Sequence, residues 1–252
     1  MSINKVAIIS DIHGNRWALE AVLEDISRRG ITQIVNLGDI AYGPLEPKNT
    51  VSLIRSQSII SLQGNEDRIL DEEIKGGYDS RIRDYVINQL DQSQLEWLKT
   101  LKSALFLRHD ILMFHAMPDR DDRYLLYEVT PKYVRNRPEN RILEILDNCQ
   151  ANLIFCGHSH MHRKLKAENY TIIDVGSVGL QAYVDDIPYI HKMENGDPKA
   201  RYVILTINSS RYDFEICTIT YDWESAASVA KNNGYPDWEV WLRTGKASQS
   251  HT

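Results

Sequence analysis

The feature that most constrains the fold is an alternation of short apolar runs and helical patterns over the first quarter of the chain. Residues 6–10, 33–37 and 59–62 are apolar runs typical of buried strands. Apolar residues at helical spacing around 17–26 and 48–55 predict a helix between each pair of strands, and Gly30 ends the first helix. Because parallel strands need long crossover connections, this order predicts parallel strands covered by helices.

The remainder of the chain adds further strands and helices without any repeat or linker. We expect hairpins from 105–107 with 111–114 and from 163–166 with 170–174, single strands at 153–156, 202–207 and 213–220, and final helices at 223–231 and 236–243. The run from Ser93 to Glu96 matches a helix capping box. Residues 119–140 lack a clean period and predict a long loop or an irregular helix, which either contacts substrate or is only solvated. The loop at 181–195 could form a lid or a subunit contact.

Side chains that can bind metals follow five of the predicted strands directly. The carboxyl ends of strands form the ligand crevice of α/β sheets, so we expect these side chains to meet at one edge. Glycines precede three of them, at Gly38, Gly64 and Gly157, and let the backbone turn sharply and approach the metals. The predicted ligands are Asp11, His13, Asp39, Asn65, His115, His158 and His160.

The residue types in this set predict the kind of metal. Four histidines, two carboxylates and one amide oxygen suit a borderline divalent ion such as Mn, Fe, Co, Ni or Zn. Magnesium or calcium would prefer more oxygen ligands. Each motif alone is weak, because an isolated Asp-x-His or Gly-Asn is most often only a turn. The ordered set is specific, because each member follows a strand.

The order Asp11-x-His13, Gly38-Asp39, Gly64-Asn65, His115, Gly157-His158-x-His160 resembles the calcineurin-like metallophosphoesterase superfamily, and within it the compact bacterial and archaeal phosphodiesterase branch. The stretches 175–179 and 196–200 and the ending 221–223 with its final helices are similar to that branch. The resemblance implies a four-layer αββα sandwich with two mixed β-sheets. We expect one domain over 1–252, with C-terminal helices at about 222–245 packing on it and a frayed tail at 246–252.

The resemblance also implies the roles of the ligands. Asp11, His13 and His160 would hold one divalent cation, Asn65, His115 and His158 the second, and Asp39 would bridge the two. Mn is the expected metal, with Fe, Zn, Co or Ni as alternatives. Two cations roughly 3.5–4 Å apart would lower the pKa of a shared water and so generate a hydroxide nucleophile. The implied activity is phosphodiesterase or phosphatase hydrolysis of small molecules, with dinucleoside polyphosphates among the plausible substrates.

The sequence departs from the family where a histidine commonly follows the Gly-Asn pair and donates a proton to the leaving oxygen. Glu66 takes that place here, followed by Asp67. A carboxyl group can act as a general acid only if its pKa is raised. Either Glu66 or Asp67 therefore substitutes for the histidine, or the enzyme prefers good leaving groups, or Glu66 only positions Asn65 or meets solvent.

Asp39 and Asn65 are expected to be catalytic as well as metal-binding, and Asn65 is also a candidate for substrate binding. Two further residues are candidates for substrate binding. Arg68 follows the Gly-Asn motif and either contacts phosphate or lies on the surface, and Tyr42 lies just beyond Asp39. Phosphoprotein phosphatases carry an Asp-Arg-Gly run after Gly-Asp, which this chain lacks, so that activity is a weaker alternative. A non-catalytic metal-binding scaffold on the same fold is an alternative of another class. Tyr124, Tyr127 and Tyr133 could stack on a nucleobase or could pack a loop onto the domain.

Composition limits the partners. The formal net charge is −6, and nucleic-acid binders usually carry a basic surface, so we expect a small phosphorylated substrate and no nucleic acid. No apolar run approaches the roughly 20 residues of a spanning helix, and no signal region opens the chain, so we expect a cytoplasmic protein without membrane contact. The three cysteines predict reduced thiols. A homo-oligomer remains open, and His109, His162, His191 and His251 need no function.

Overall fold

The computed structural model describes residues 4–71, 80–209 and 211–247. The strands are β1 (Asn4–Ile9), β2 (Gln33–Asn36), β3 (Ile60–Ser61), β4 (Ala104–Arg108), β5 (Ile111–Phe114), β6 (Tyr127–Val129), β7 (Val134–Asn136), β8 (Leu153–Cys156), β9 (Arg163–Ala167), β10 (Tyr170–Asp174), β11 (Ala182–Asp185), β12 (His191–Glu194), β13 (Ala200–Asn208) and β14 (Arg211–Ile219). The helices are α1 (Arg16–Arg28), α2 (Pro47–Ser56), α3 (Asn65–Arg68), α4 (Ser80–Gln89), α5 (Gln92–Lys99), α6 (Glu139–Ile145), α7 (Trp223–Asn232) and α8 (Pro236–Thr244).

Two mixed five-stranded sheets form the centre of the molecule. The first has the order β14-β13-β1-β2-β3, in which β1, β2 and β3 are parallel and β13 and β14 are antiparallel additions. The second has the order β4-β5-β8-β10-β9, in which β5, β8 and β10 are parallel and the two outer strands are antiparallel. The predicted parallel β-α-β-α-β start and both predicted hairpins are confirmed.

Alternation along the strands separates the layers. Val6 and Ile8 of β1 pack between the sheets with Phe155 of β8, whereas Ala7 and Ile9 face the helical layer of α1, α2, α7 and α8. On the far side, Phe114 and Ile154 of the second sheet pack with α6. Successive side chains of a strand point to opposite faces, so each central strand contributes to two cores. The order is helix, sheet, sheet, helix, which confirms the predicted αββα fold class.

Three local expectations were wrong. The N-cap of helix α5 is Asp91 rather than Ser93, because Asp91 and Gln94 form a reciprocal capping box. Residues 119–140 contain the β6–β7 hairpin and the start of α6 rather than one loop or irregular helix. Ala247, expected to fray, is buried and its N–H donates to Glu194. Residues 248–252 lie outside the described residues, and the single domain over 1–252 stays a prediction.

Two compositional expectations can be compared with the structure. Cys156 and Cys217 are buried, Cys149 is half-buried, and all three are free thiols. Within residues 4–71, 80–209 and 211–247, no helix combines the length and the apolar character that crossing a bilayer would require.

Candidate metal centre

The predicted ligands lie in sharp turns at the ends of strands. Asp11 and His13 follow β1, Asp39 follows β2, and His158 and His160 follow β8. All five adopt positive φ angles, from 52° to 68°. Left-handed backbone is unfavourable for residues with a Cβ, and such strain is retained where function over-determines the conformation. These turns aim five side chains back over the edge of the sheets.

Glycines bring the turns into contact with one another. A Cβ on Gly64 would lie 2.0 Å from Oδ1 of Asp39, and a Cβ on Gly157 would lie 2.6 Å from Oδ2 of Asp11. No side chain could be accommodated at either position without moving a predicted ligand. The glycines before the ligands therefore serve close approach, as the sequence predicted.

The structure brings all seven predicted ligands into one cluster. Asp11, His13 and His160 offer ligand atoms that lie within 4.8 Å of one another, and so do Asp39, His115 and His158. Asn65 joins the second group, because its Oδ1 lies 2.9 Å from Nε2 of His115. These are the two sets that the resemblance implied, with Asp39 beside both. Glu66 forms a third group with His13 and Asp39.

Two histidines are oriented by backbone carbonyls. Nδ1 of His13 lies 3.0 Å from the carbonyl of Tyr42, and Nδ1 of His115 lies 3.1 Å from the carbonyl of Leu37. A carbonyl can only accept, so each Nδ1 carries a proton, and Nε2 presents a lone pair whenever the imidazole is neutral. Partners of this kind fix the tautomer of metal-binding histidines.

In the neutral imidazoles, the lone pairs of Nε2 point at other acceptor atoms. Nε2 of His13 lies 3.0 Å from Nε2 of His160, and Nε2 of His115 faces two acceptor oxygens, on Asn65 at 2.9 Å and on Asp39 at 3.3 Å. Oδ1 of Asp11 is buried without a hydrogen-bond partner in the described residues. Such contacts are unfavourable without a positive charge between the atoms. The donor set therefore fits divalent cations.

The electrostatics of the cluster favour positive charge. Burial opposes ionisation of Asp39 and Asp11. Nevertheless, His115 keeps the pKa of Asp39 below the usual value, and His160 does the same for the pKa of Asp11. Burial likewise opposes protonation of His115, but Asp39 outweighs it and raises the pKa of that imidazole to about 10. His158 differs, because burial and then His115 lower its pKa to about 3. The ionised aspartates therefore favour cations in the cluster, and the imidazole of His158 is neutral and can coordinate a metal ion.

The two carboxyl groups after Asn65 have different surroundings. Burial raises the pKa of Glu66 to about 7, although His13 opposes the shift. Its Oε2 lies 3.0 Å from Nδ1 of His13, but the carbonyl of Tyr42 competes for the same Nδ1 proton, and Oε2 is otherwise buried without a hydrogen-bond partner among the described residues. Asp67 instead accepts backbone N–H groups of Asp39, Ile40 and Gly64 through both oxygens. Burial raises its pKa to about 6. Asp67 therefore connects the turn that carries Asp39 with the turn that carries Asn65.

Polar side chains that the sequence analysis did not identify stabilise the ligand turns by hydrogen bonds. Ser177 donates to the carbonyl of Asp11, and Asn15 caps α1 while its amide donates to Gly179. Ser159, between His158 and His160, donates to the buried Asp174 at 2.5 Å. The available signals were the position of Asn15 just before a helix and the small polar stretch around Ser177.

The cluster lies at the base of a cavity of about 890 Å³. Tyr42, Asn65 and Arg68, the three predicted substrate-binding residues, all line it. Arg68 is half-buried and makes a bidentate ion pair with Asp121, at 2.7 and 2.9 Å.

The three candidate tyrosines differ in burial, and His162 lies outside the metal-competent groups of the described residues. Among the tyrosines, Tyr124 is buried and hydrogen-bonds to His191, Tyr127 is half-buried, and Tyr133 is 56% exposed. Tyr124 therefore packs its loop onto the ligand loop, with its ring 5.0 Å from that of His158. His162 precedes β9, so it lies in the loop and not on a strand, and it is absent from the metal-competent groups of the described residues.

Comparisons with known proteins agree with this architecture. The model of the calcineurin-like phosphoesterase superfamily domain matches residues 5–208. An uncharacterized protein of Methanocaldococcus jannaschii is 29% identical over 245 residues, covering 92% of this chain and 94% of that protein. A metallophosphoesterase structure from Sphaerobacter thermophilus has a TM-score of 0.75 at 23% identity, covering 96% of this chain and all of the other. A hypothetical protein of Pyrococcus horikoshii has a TM-score of 0.73 at 16% identity, covering 97% and 99%.

The fold and the cluster define an α/β protein of the phosphoesterase class, and the resemblance stated from the motifs is confirmed. The chain belongs to the calcineurin-like phosphoesterase superfamily. The two structural likenesses are below 25% identity and support the fold alone.

Proposed function

We propose that this chain hydrolyses phosphate esters of small molecules, either diesters or monoesters, with two divalent cations bound at the cluster. The observation that carries the proposal is the convergence of seven donor side chains, several with facing lone pairs, at the base of an open cavity. Family membership supports the reaction class. Two bound cations would activate water and offset the charge that develops on the phosphoryl group.

The ligand assignment follows the two groups in the structure. Asp11, His13 and His160 would hold one cation and Asn65, His115 and His158 the other, with Asp39 between them. The mixed nitrogen and oxygen donors suit Mn, Fe, Zn, Co or Ni, and we propose Mn for reconstitution. Asn65 also lines the cavity, and its amide N–H would donate to a phosphoryl oxygen.

Glu66 is the better candidate for the general acid. It lines the cavity, and apart from the contact with His13 its Oε2 has no hydrogen-bond partner in the described part of the chain, so a protonated Glu66 can donate to a leaving oxygen. Asp67 is less suited, because both its oxygens already accept backbone hydrogen bonds. General acid catalysis typically contributes about 10²–10⁴-fold when the leaving group is poor.

Glu66→Gln tests this role on two diesters. Activity on an alkyl phosphodiester should fall by about a hundredfold or more, whereas activity on an aryl phosphodiester, whose leaving group needs little protonation, should fall much less. Equal small effects on the two substrates would show that Glu66 has no acid role.

The reaction class is tested with a substrate panel on Mn-reconstituted protein. The panel contains aryl monoesters and diesters, dinucleoside polyphosphates, cyclic nucleotides and phosphopeptides. Asp39→Asn should lower every true activity by at least about a hundredfold, since charge stabilisation by the cations depends on this carboxylate. Asp213→Asn, an exposed aspartate on β14, is the matched control and should retain full activity.

Two results would overturn the proposal. Protein that holds two metal ions per chain and cleaves none of the esters would instead be a metal-binding scaffold. Preferential cleavage of phosphopeptides would assign the chain to protein phosphatases, although it lacks their Asp-Arg-Gly run.

A further inference from the structure

The cavity extends well beyond the metal cluster, and its outer part has two apolar walls. One wall comes from the start of α8 and the residue before it, Tyr235, Trp238 and Trp241. The other comes from the hairpin that joins β11 to β12, with Ile187 and Ile190 near its tip. We call the space between these two walls the outer cavity.

The aromatic wall begins beside the metal cluster. The ring of Trp238 lies 6.2 Å from that of His13 in an edge-on arrangement, and the ring of Trp241 lies 5.9 Å from that of Trp238. The wall therefore continues outward from a predicted metal ligand. An organic group attached to a phosphoryl group at the cluster would enter the outer cavity directly.

The hairpin wall exposes apolar surface. Ile190 is 70% exposed and Ile187 is 37% exposed, and both line the cavity. Removing apolar surface from water is favourable in proportion to the area covered. An apolar group held between the isoleucines and the aromatic wall would cover this surface.

The charges of the outer cavity disfavour further anionic groups. Four carboxylates line the cavity away from the cluster, on Asp122, Asp185, Asp186 and Asp237. Asp122 is neutralised by a bidentate ion pair with Arg120, at 2.7 and 3.1 Å, and Arg68 is paired with Asp121. Among the described lining residues, the other three carboxylates outnumber the remaining arginine, Arg81, which lies over the ring of Tyr235 at 5.5 Å. Like charges repel strongly where the surrounding dielectric is low. A second phosphate on the substrate would be repelled here.

We propose that the outer cavity binds the organic group of the substrate, and that it selects an uncharged apolar group the size of an aromatic ring on a molecule with one phosphate. This inference rests on the proposed function, because it places the phosphoryl group at the metal cluster. It ranks polyanionic substrates, dinucleoside polyphosphates included, below single-phosphate esters of aromatic groups.

Binding of phosphonates tests the selection without any hydrolysis. Phenylphosphonate, methylphosphonate, 1,4-phenylenediphosphonate and 2-(trimethylammonio)ethylphosphonate are titrated into Mn-loaded protein and followed by calorimetry. Phenylphosphonate should bind about tenfold more tightly than methylphosphonate, the change expected for burying part of a ring. The diphosphonate, which adds only a distal charge to the same ring, should bind more weakly than phenylphosphonate.

A pair of matched variants localises the effect. Ile190→Ser should lower the preference for phenylphosphonate over methylphosphonate by about threefold or more, because it removes exposed apolar surface from the hairpin wall. Ile216→Ser replaces an isoleucine that is 52% exposed on β14, away from the cavity lining. It should leave the preference unchanged. Unaltered binding of methylphosphonate to Ile190→Ser would show that the variant is folded.

Several outcomes would overturn the inference. These are equal affinity for the phenyl and methyl ligands, tighter binding of the diphosphonate, tightest binding of the ammonium ligand, or an Ile190→Ser variant that behaves like Ile216→Ser. The ammonium result would mean that the carboxylates of the outer cavity recognise a cation. Selective phenylphosphonate binding by a protein that hydrolyses no ester would contradict the proposed function and would leave the outer cavity assignment standing.

Discussion

The metal cluster and the outer cavity are adjacent, yet they are built in opposite ways. Asp11, His115 and their neighbours in the cluster are almost wholly buried, whereas Ile190 at the rim of the outer cavity is 70% exposed. Five of the seven predicted ligands lie in tight turns with positive φ, and glycines allow those turns to approach one another closely. The outer cavity is lined by a short hairpin and by one face of α8.

This difference separates the reaction from the selection of the substrate. The proposed metal centre would tolerate little change of position, because its ligand atoms would have to converge on cations only a few ångströms apart. The hairpin wall can change one side chain at a time with little effect on the core, because exposed positions contribute little to stability. We infer that the chemistry is fixed by the strand ends and that substrate choice is set by the hairpin and α8.

The largest expected effect is on the cluster. Gly64→Ala should lower activity by at least about a hundredfold and reduce the bound metal, because the added Cβ would lie 2.0 Å from Oδ1 of Asp39 and displace it. Elemental analysis and steady-state kinetics measure both. Gly30→Ala is the control: it adds a Cβ in open space at a φ of 67°, so it should cost about 1 kcal/mol of stability and no activity. A Gly64→Ala enzyme with full metal content and full activity would show that close approach of Gly64 to Asp39 is not required.

Metal removal should have the next largest effect. Cations bind the folded cluster and not the dispersed ligands of the unfolded chain, so a hundredfold excess over Kd should add about 2.7 kcal/mol per site to the free energy of unfolding. Thermal denaturation with added Mn and with a chelator measures the difference. Asp39→Asn should shrink it. Identical midpoints in the two conditions would mean that the cluster binds no metal.

A smaller effect is expected in the layer behind the cluster. Burial raises the pKa of Asp174 well above the ordinary value of 3.8, so ionisation of Asp174 opposes folding. The contribution of Asp174 to stability is therefore most favourable below about pH 4 and falls as the pH rises towards its folded pKa. In metal-free protein, the stability of Asp174→Asn relative to wild type should rise by at least about 1.4 kcal/mol from pH 4 to pH 8, the equivalent of one pKa unit. Urea denaturation at both pH values measures this, and a constant difference would contradict it.

The smallest effect is expected in the outer cavity. Ile190→Val should change the free energy of unfolding by less than about 0.5 kcal/mol, because the side chain is mostly exposed. The same substitution at Ile173, which is 1% exposed between the sheets, should cost about 0.5–1.5 kcal/mol. Equal losses in urea denaturation would mean that the hairpin is part of the core.

The parts of the molecule that the sequence predicted well are those with a local signal. The strands before Asp11, Asp39 and His158 are short apolar runs, and the polar residues at their ends are recognisable from the chain alone. Helix α5 shows the limit. Ser93 and Asp91 both fit a local capping pattern. In the structure Asp91 is the N-cap, and Gln94, its partner in the capping box, also donates to Lys48 and Ser52 of α2. Residues far apart in the chain make those contacts, so no local pattern contains them.

The amino-acid sequence predicted parallel strands covered by helices and a candidate set of donor side chains, because alternation of apolar and polar residues and the position of a residue after a strand are local properties. The four-layer arrangement was implied only by the family resemblance. Tertiary structure decided which nitrogen of His13 and His115 faces the cluster, since the carbonyls of Tyr42 and Leu37 orient those rings. It also decided the walls of the outer cavity, because the β11–β12 hairpin and α8 meet only through folding. Hydrogen-bond direction and cavity shape depend on distances between remote residues, and such distances exist only once the chain has packed.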